Sequence, residues 1–275
     1  MPEAADKEEG FWRLIYRRSA TEAFRKYVSA YDISDDKIRL KVVHTFHVKR
    51  ASEDIAKGLG LSEEDTRLAV LIGLLHDIGR FEQLRIYHSF IDAETVDHAA
   101  LGVKILFEDE KIRDFIKDSG YDTIIRGAIA NHNRFAIEDG LDERSLLHAK
   151  IIRDADKLDN YRVKLEDSIE TMLGKGITEE TLGGFDISDE VFEDTKKRMS
   201  VLSSKRRTPM DFWVSYFAMT FDIYFSDTLQ IIEAQDYIRR MAGRVSYTNE
   251  KTRRRMDALI ENILSYMQER IDQHD

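Results

Sequence analysis

The chain has 275 residues, of which 42% are hydrophobic and 34% charged. That length supports a full buried core, and that composition excludes a disordered chain. A net charge of −10 argues against a general nucleic-acid coat or a binder of anionic membranes. The absence of cysteine excludes disulfides, thiol nucleophiles, iron–sulfur clusters and thiolate zinc sites. Any metal must then be held by nitrogen and oxygen.

The opening residues, MPEAADKEEG, are polar and acidic and have neither the basic end nor the apolar core of a signal peptide. The longest apolar run, Leu68 to Leu75, is too short to span a bilayer. A cytoplasmic location is the expectation, with residues 1–9 as a loose tail. Only two prolines occur, Pro2 and Pro209, so little interrupts helices along most of the chain. Strand-like alternation is scarce, and the fold class expected is all-α.

In chain order, Ser34-Asp-Asp-Lys starts a helix that passes through His44 and closes at Gly58 and Gly60. Ser62, with Asp65 three residues on, resembles a capping box and restarts the chain. The next helix carries Arg67 to His76 and is expected to stop near Gly79. Helical runs follow over Thr95–Phe107, Asp122–His132 and Leu146–Leu165. Four glycines make residues 174–186 the best loop or lid candidate. Two later helices are expected over Asp189–Leu202 and Asp211–Arg240, and Arg253–Ile271 closes the chain. No composition break separates the later helices from the earlier ones. The expectation is one domain over 10–275, with a core over about 30–165 and C-terminal helices over 166–275.

Eight histidines occur, at 44, 47, 76, 88, 98, 132, 148 and 274. Imidazole is a common nitrogen ligand for Zn, Fe, Mn and Ni, and aspartate is its natural hard partner. His76-Asp77 emerges from an apolar run. A buried carboxylate beside an imidazole costs several kcal/mol unless compensated, and a metal ion would compensate it. A hydrogen-bonded pair at a helix end would do so too. The remaining spacing weighs toward metal. His44, His98, His132 and Asp156 each lie on or at the start of a different predicted helix, so five helices can aim ligands at one centre.

His44, then His76-Asp77 in the context Leu74-Leu-His-Asp-Ile-Gly-Arg80, then Asp156, resembles the HD-domain metal-dependent phosphohydrolase superfamily. His98 and His132 match the two extra histidines of its dinuclear members. The resemblance implies two divalent ions, Fe or Mn first, with Zn, Ni, Co or Mg as alternatives. His44, His76, Asp77 and Asp156 would hold one ion. Asp77 would bridge to the other, held also by His98 and His132. Two ions facing two carboxylates leave a net positive centre that attracts phosphate and acidifies a water to hydroxide. The implied activity is hydrolysis of a phosphoester or phosphoanhydride in a small, nucleotide-like substrate by that hydroxide.

Asp77, Arg80 and Lys157 are the candidate catalytic residues. Arg80 and Lys157 are read as phosphate clamps, against the alternative of solvated charge. Glu82, Asp97, Asn131 and Asn133 are weaker candidates for orienting ligands or substrate. His88 either lines the substrate pocket or does nothing there. His47, His148 and His274 are read as structural or surface residues. The basic clusters Lys205–Arg207 and Arg253–Arg255 are read as solvated faces, and the aromatic run 212–225 as core or a subunit contact.

Departures narrow the resemblance. No Glu-Asp pair follows His76-Asp77, as it does in guanosine tetraphosphate hydrolases of the superfamily. The proline of its Gly-Tyr-Pro phosphodiesterases is missing. The deoxynucleoside monophosphatases place a glutamate where Arg80 stands, whereas dinucleoside polyphosphate hydrolases place a cation there. Two other readings share the ligand set: a mixed-valent di-iron oxygenase, and a signalling or binding module with a structural metal. No membrane partner and no general nucleic-acid partner are expected, and a homo-oligomer is left open.

Overall fold

The computed structural model describes residues 19–273. The expected tail over 1–9 and His274 lie outside the described residues. The fold is all-α, with no strand among the described residues. The chain forms two compact units, one ending at Asp156 and one beginning at Lys157.

In the first unit, a helix over 19–28 (α1) precedes α2, Asp36–Gly58. The cap of α2 is Asp35 rather than Ser34, because the Asp35 carboxylate accepts the Lys37 amide at 2.7 Å. Ser62 caps α3, Glu63–Leu75, as the sequence suggests, although Asp65 returns to the Ser62 hydroxyl instead of a backbone amide. Every residue of α3 from Leu68 on is buried, as an apolar surface on all sides requires. Gly73 lets α3 sit against α2: a Cβ there would lie 3.0 Å from the Lys49 backbone and 2.7 Å from Ser52 Oγ.

The helix carrying His76 does not run on to Gly79. It ends at Leu75, and α4 begins at Ile78 and continues to Tyr87. His76-Asp77 is therefore the junction itself. Gly79 lies inside α4 as a contact point with α5, His98–Val103. A Cβ at Gly79 would stand 2.2 Å from the His98 carbonyl and 2.7 Å from the Gly102 nitrogen. The phenol of Tyr27 donates to the Ile78 carbonyl at 3.3 Å, tying α1 to the start of α4. Phe24 and Phe81 pack edge-on in the core beneath.

After α5 the chain widens into a π-helical turn, Lys104–Glu108. Then come α6, Ile112–Phe115; α7, Asp122–Asn131; and α8, Glu143–Glu166. Arg153, buried on α8, donates to the carbonyls of Asn131 at 3.0 Å and Phe135 at 3.3 Å and fixes the turn that follows α7.

In the second unit, the expected loop over 174–186 contains a short helix of its own, Glu179–Leu182. The predicted helix over Asp189–Leu202 is shorter, ending at Lys196. The predicted helix over Asp211–Arg240 is three helices: Pro209–Ala218, Ser226–Ala234 and Tyr237–Ala242. Thr208 and Asp211 form a capping box at the first, with Pro209 in its first turn. The buried Asp211 carboxylate also accepts from the Ser188 and Arg207 amides. The closing helix, Glu250–Asp272, buries Met256, Leu259, Ile263 and Met267 along one stripe. Trp213 and Phe217 of the aromatic run are buried, as expected of core.

Candidate metal centre

The junctions of the first unit bring four imidazoles together. His44 sits on α2. His76 and His132 are the residues just beyond the C-terminal ends of α3 and α7, and His98 is the first residue of α5. All four are buried. His44, His76 and Asp156 offer ligand atoms within 4.8 Å of one another, and so do Asp77, His98 and His132.

Asp77 lies between the two groups. Its Oδ2 is 3.6 Å from Nε2 of both His44 and His76. Its Oδ1 is 3.3 Å from His98 Nε2 and 3.5 Å from His132 Nε2. Asp156 Oδ1 lies 3.1 Å from His44 Nε2, and its side chain, 24% exposed, is the most open of the six.

Hydrogen bonding fixes three of the rings. A helix leaves its last carbonyls without amide partners, and these accept from imidazole. His76 Nδ1 donates to Gly73 O at 2.9 Å, and His132 Nδ1 to Ile129 O at 2.7 Å. His98 starts a helix and has no such carbonyl. Its Nδ1 donates to Asp92 Oδ2 at 2.5 Å. Each Nδ1 is thus spent on an outer partner, and each ring turns its Nε2 inward. The Nε2 atoms of His98 and His132 lie 3.0 Å apart. Two unprotonated nitrogens so placed would repel unless an electropositive centre shared their lone pairs. The donor set therefore fits divalent metal, with nitrogen and carboxylate oxygen ligands only.

The electrostatics agree. Burial holds His76 down to about 4, against the pull of Asp77 and Asp156, so it is neutral at ordinary pH. Burial likewise lowers His98, opposed by Asp92. Burial would raise Asp77, but the Lys41 ammonium and the surrounding imidazoles outweigh it and keep the carboxyl well below its usual range. Asp156 is held low in the same way, chiefly by its hydrogen bond to His44.

Lys41 carries no motif and escapes sequence reasoning. It lies one turn before His44 on α2, and its Nζ stands 2.8 Å from Asp77 Oδ2. Arg80 approaches the other oxygen, with Nε 3.7 Å from Asp77 Oδ1. Arg80 Nη1 is committed to Asp92 Oδ1, Phe90 O and Gln83 Oε1 at 2.7, 2.8 and 2.8 Å. Its Nε is buried and has no hydrogen-bond acceptor. Lys157 Nζ pairs with Asp222 Oδ2 at 2.8 Å in the second unit.

The weaker candidates scatter. Asp97 caps α5 and accepts from Asn133 at 3.0 Å, so both hold the helix that starts with His98. Asn131 spends its amide on Gly127 O and the Glu138 amide. Glu82 pairs with Arg85 and accepts from Tyr31, away from the ligands. His88 is exposed and ends α4 in a left-handed conformation. His47 is exposed, and the buried His148 bonds to Asp65 at 3.1 Å, outside the cluster.

No curated protein and no solved structure gives a match to the chain. Residues 42–161 match the family model of the HD domain, a family of metal-dependent hydrolases that bind divalent ions. That segment, which spans His44 through Asp156, is similar to an HD domain.

Proposed function

We propose that this HD-like segment hydrolyses a phosphoester or phosphoanhydride bond in a small, nucleotide-like substrate at a two-ion centre. The ligands in this reading are His44, His76 and Asp156 on one side, His98 and His132 on the other, and Asp77 between. One observation carries it: the two oxygens of Asp77 are divided between two pairs of inward-facing imidazoles. Iron or manganese bound there would polarise a phosphoryl oxygen and lower the pKa of a water.

The chain's own residues supply the rest. Four neutral imidazoles and two carboxylates leave two divalent ions under-neutralised, so the centre favours an anion. Arg80 offers its unspent Nε–H on the Asp77 side and keeps its charge at every working pH. Lys41 adds a second cation at the opposite oxygen. A phosphoryl group entering there gains charge-assisted hydrogen bonds that strengthen as its oxygens gain charge. A phosphoanhydride is the first substrate class to try, because a cation stands at position 80.

The test is turnover in ¹⁸O-labelled water. Protein purified anaerobically and loaded with Mn or Fe is offered a panel of nucleotides and phosphoesters. Label should enter the released phosphate without O₂. Turnover that consumes O₂ would instead establish the oxygenase reading.

A further inference from the structure

Residues 88–97 link α4 to α5 and carry Asp92 to the outer edge of His98. Both oxygens of Asp92 are used. Oδ2 accepts from His98 Nδ1 at 2.5 Å and from Asn133 Nδ2 at 3.4 Å. Oδ1 accepts from Arg80 Nη1 at 2.7 Å and from Gln83 Nε2 at 2.9 Å. Gln83 is fully buried, and the same Nε2 reaches Thr95 Oγ1 at 2.8 Å and Val96 O at 3.0 Å. Its Oε1 accepts from Arg80. Two side chains of α4 thus fix one carboxylate against one imidazole.

His98 is unlike the other rings whose partners are set. His76 and His132 lean on neutral backbone carbonyls three residues back. His98 leans on a charged carboxylate supplied from a separate segment. A carboxylate that accepts the Nδ1 proton pushes electron density toward Nε2, fixes the ring plane and makes the ring a stronger ligand. That advantage falls on a ligand of the group formed by Asp77, His98 and His132.

We propose that Asp92, clamped by Arg80 and Gln83, is a positioning residue that sets the affinity of the ion held by Asp77, His98 and His132, independently of the ion held by His44, His76 and Asp156. The segment 88–97 then governs how fully the second position is loaded. This rests on the two-ion reading above.

The experiment is a titration of full-length, chelated and dialysed protein with Mn(II), followed by EPR of the free ion. Wild type should show two binding events. Asp92→Asn keeps the size and one acceptor but removes the charge. It should weaken one event by ~10–100-fold, the scale for such partners of metal-bound histidine, and leave the other within about threefold. Asp92→Glu restores the charge at the wrong length and should recover part of the loss. Gln83→Leu, close in volume, should weaken the same event, and adding it to Asp92→Asn should cost little more, because Gln83 acts through Asp92. Circular dichroism of the chelated variants checks folding, and Gln83→Leu and Asp92→Glu keep the test open if one variant fails to fold.

His98→Ala separates this proposal from the reading beneath it. If His98→Ala loses one event while Asp92→Asn keeps both at wild-type affinity, the two-ion reading stands and the role of Asp92 is overturned. If wild type binds a single ion, or His98→Ala still binds two, the two-ion reading falls and the proposal with it.

Discussion

Gly79→Ala tests whether packing between two helices is what holds His98 in place. A Cβ at position 79 would meet the His98 carbonyl at 2.2 Å and the Gly102 nitrogen at 2.7 Å, both backbone atoms that cannot rotate away. Ordinary contact begins at 3.4 Å, so α4 and α5 must separate by about 1 Å. Overpacking of this kind costs ~1–3 kcal/mol, while alanine regains up to ~1 kcal/mol of helix propensity over glycine. The net effect is a Tm lower by a few degrees. The larger effect falls on the metal centre. A site must be held within ~0.5 Å to work, and α5 begins with His98 itself. Gly79→Ala should therefore weaken one Mn(II) event by ~10-fold or more, alongside the modest fall in Tm. Leu259→Ala is the control: it opens a cavity in the second unit at ~2–5 kcal/mol and should leave Mn(II) binding alone. Wild-type Mn(II) affinity and Tm in Gly79→Ala would refute the reasoning.

Two further outcomes follow from the same contacts. His76 is held at about 4 against an ordinary 6.5, and burial also lowers His98 and His148. On acidification the unfolded chain therefore takes up protons first, so the stability of chelated protein is full above about pH 6.5 and falls toward pH 4. His76 alone accounts for roughly 3 kcal/mol of that loss; urea melts that give a flat stability between pH 7 and pH 4.5 would contradict it. Lys41→Met removes the ammonium 2.8 Å from Asp77 Oδ2. Chelated Lys41→Met should melt lower than wild type, because a buried carboxylate loses its partner, and should bind Mn(II) several-fold more tightly, because one competing cation is gone; weaker Mn(II) binding would count against the assigned place of Lys41.

The six candidate ligands stood out because imidazole and carboxylate are chemically rare in apolar helical surroundings; His76, Asp77, His98 and His132 stand at helix ends, whereas His44 and Asp156 lie within α2 and α8. Capping chemistry was legible too, at Ser62, while the capping box of Thr208 and Asp211 shows only in the structure. Glycine was harder to read. Gly79 has the residue type of a helix stop, yet its role is a close approach to α5, which only the packing reveals. The long helix expected over Asp211–Arg240 breaks without glycine or proline. Residues 219–225 hold Thr220, Phe221, Ile223, Tyr224 and Phe225, all weak helix formers, and Asp236 takes a left-handed conformation at φ 51°. Lys41, Gln83 and Asp92 left no trace in the sequence, since each acquires its role from a partner on another element.

Arg80 shows where spacing stops being informative. Three residues after Asp77, helical geometry brings its Nε within 3.7 Å of that carboxylate, as the spacing implies. Spacing does not count acceptors. The segment 88–97 returns across α4 and delivers Asp92 and the Phe90 carbonyl to Nη1, so one guanidinium serves two neighbours. Its planar fork makes this possible: Nη1 is tied to Asp92 while Nε points toward Asp77, a division that the single ammonium of lysine could not reproduce. Truncating Arg80 therefore disturbs the support of His98 and the electropositive contact at Asp77 together, and a loss of activity in that variant would assign neither. Asp92→Asn removes the first partner while the guanidinium remains, and Gln83→Leu loosens the clamp without touching a charge. Effects on Mn(II) affinity in those two variants belong to the positioning of His98, and only what Arg80→Ala loses beyond them belongs to substrate.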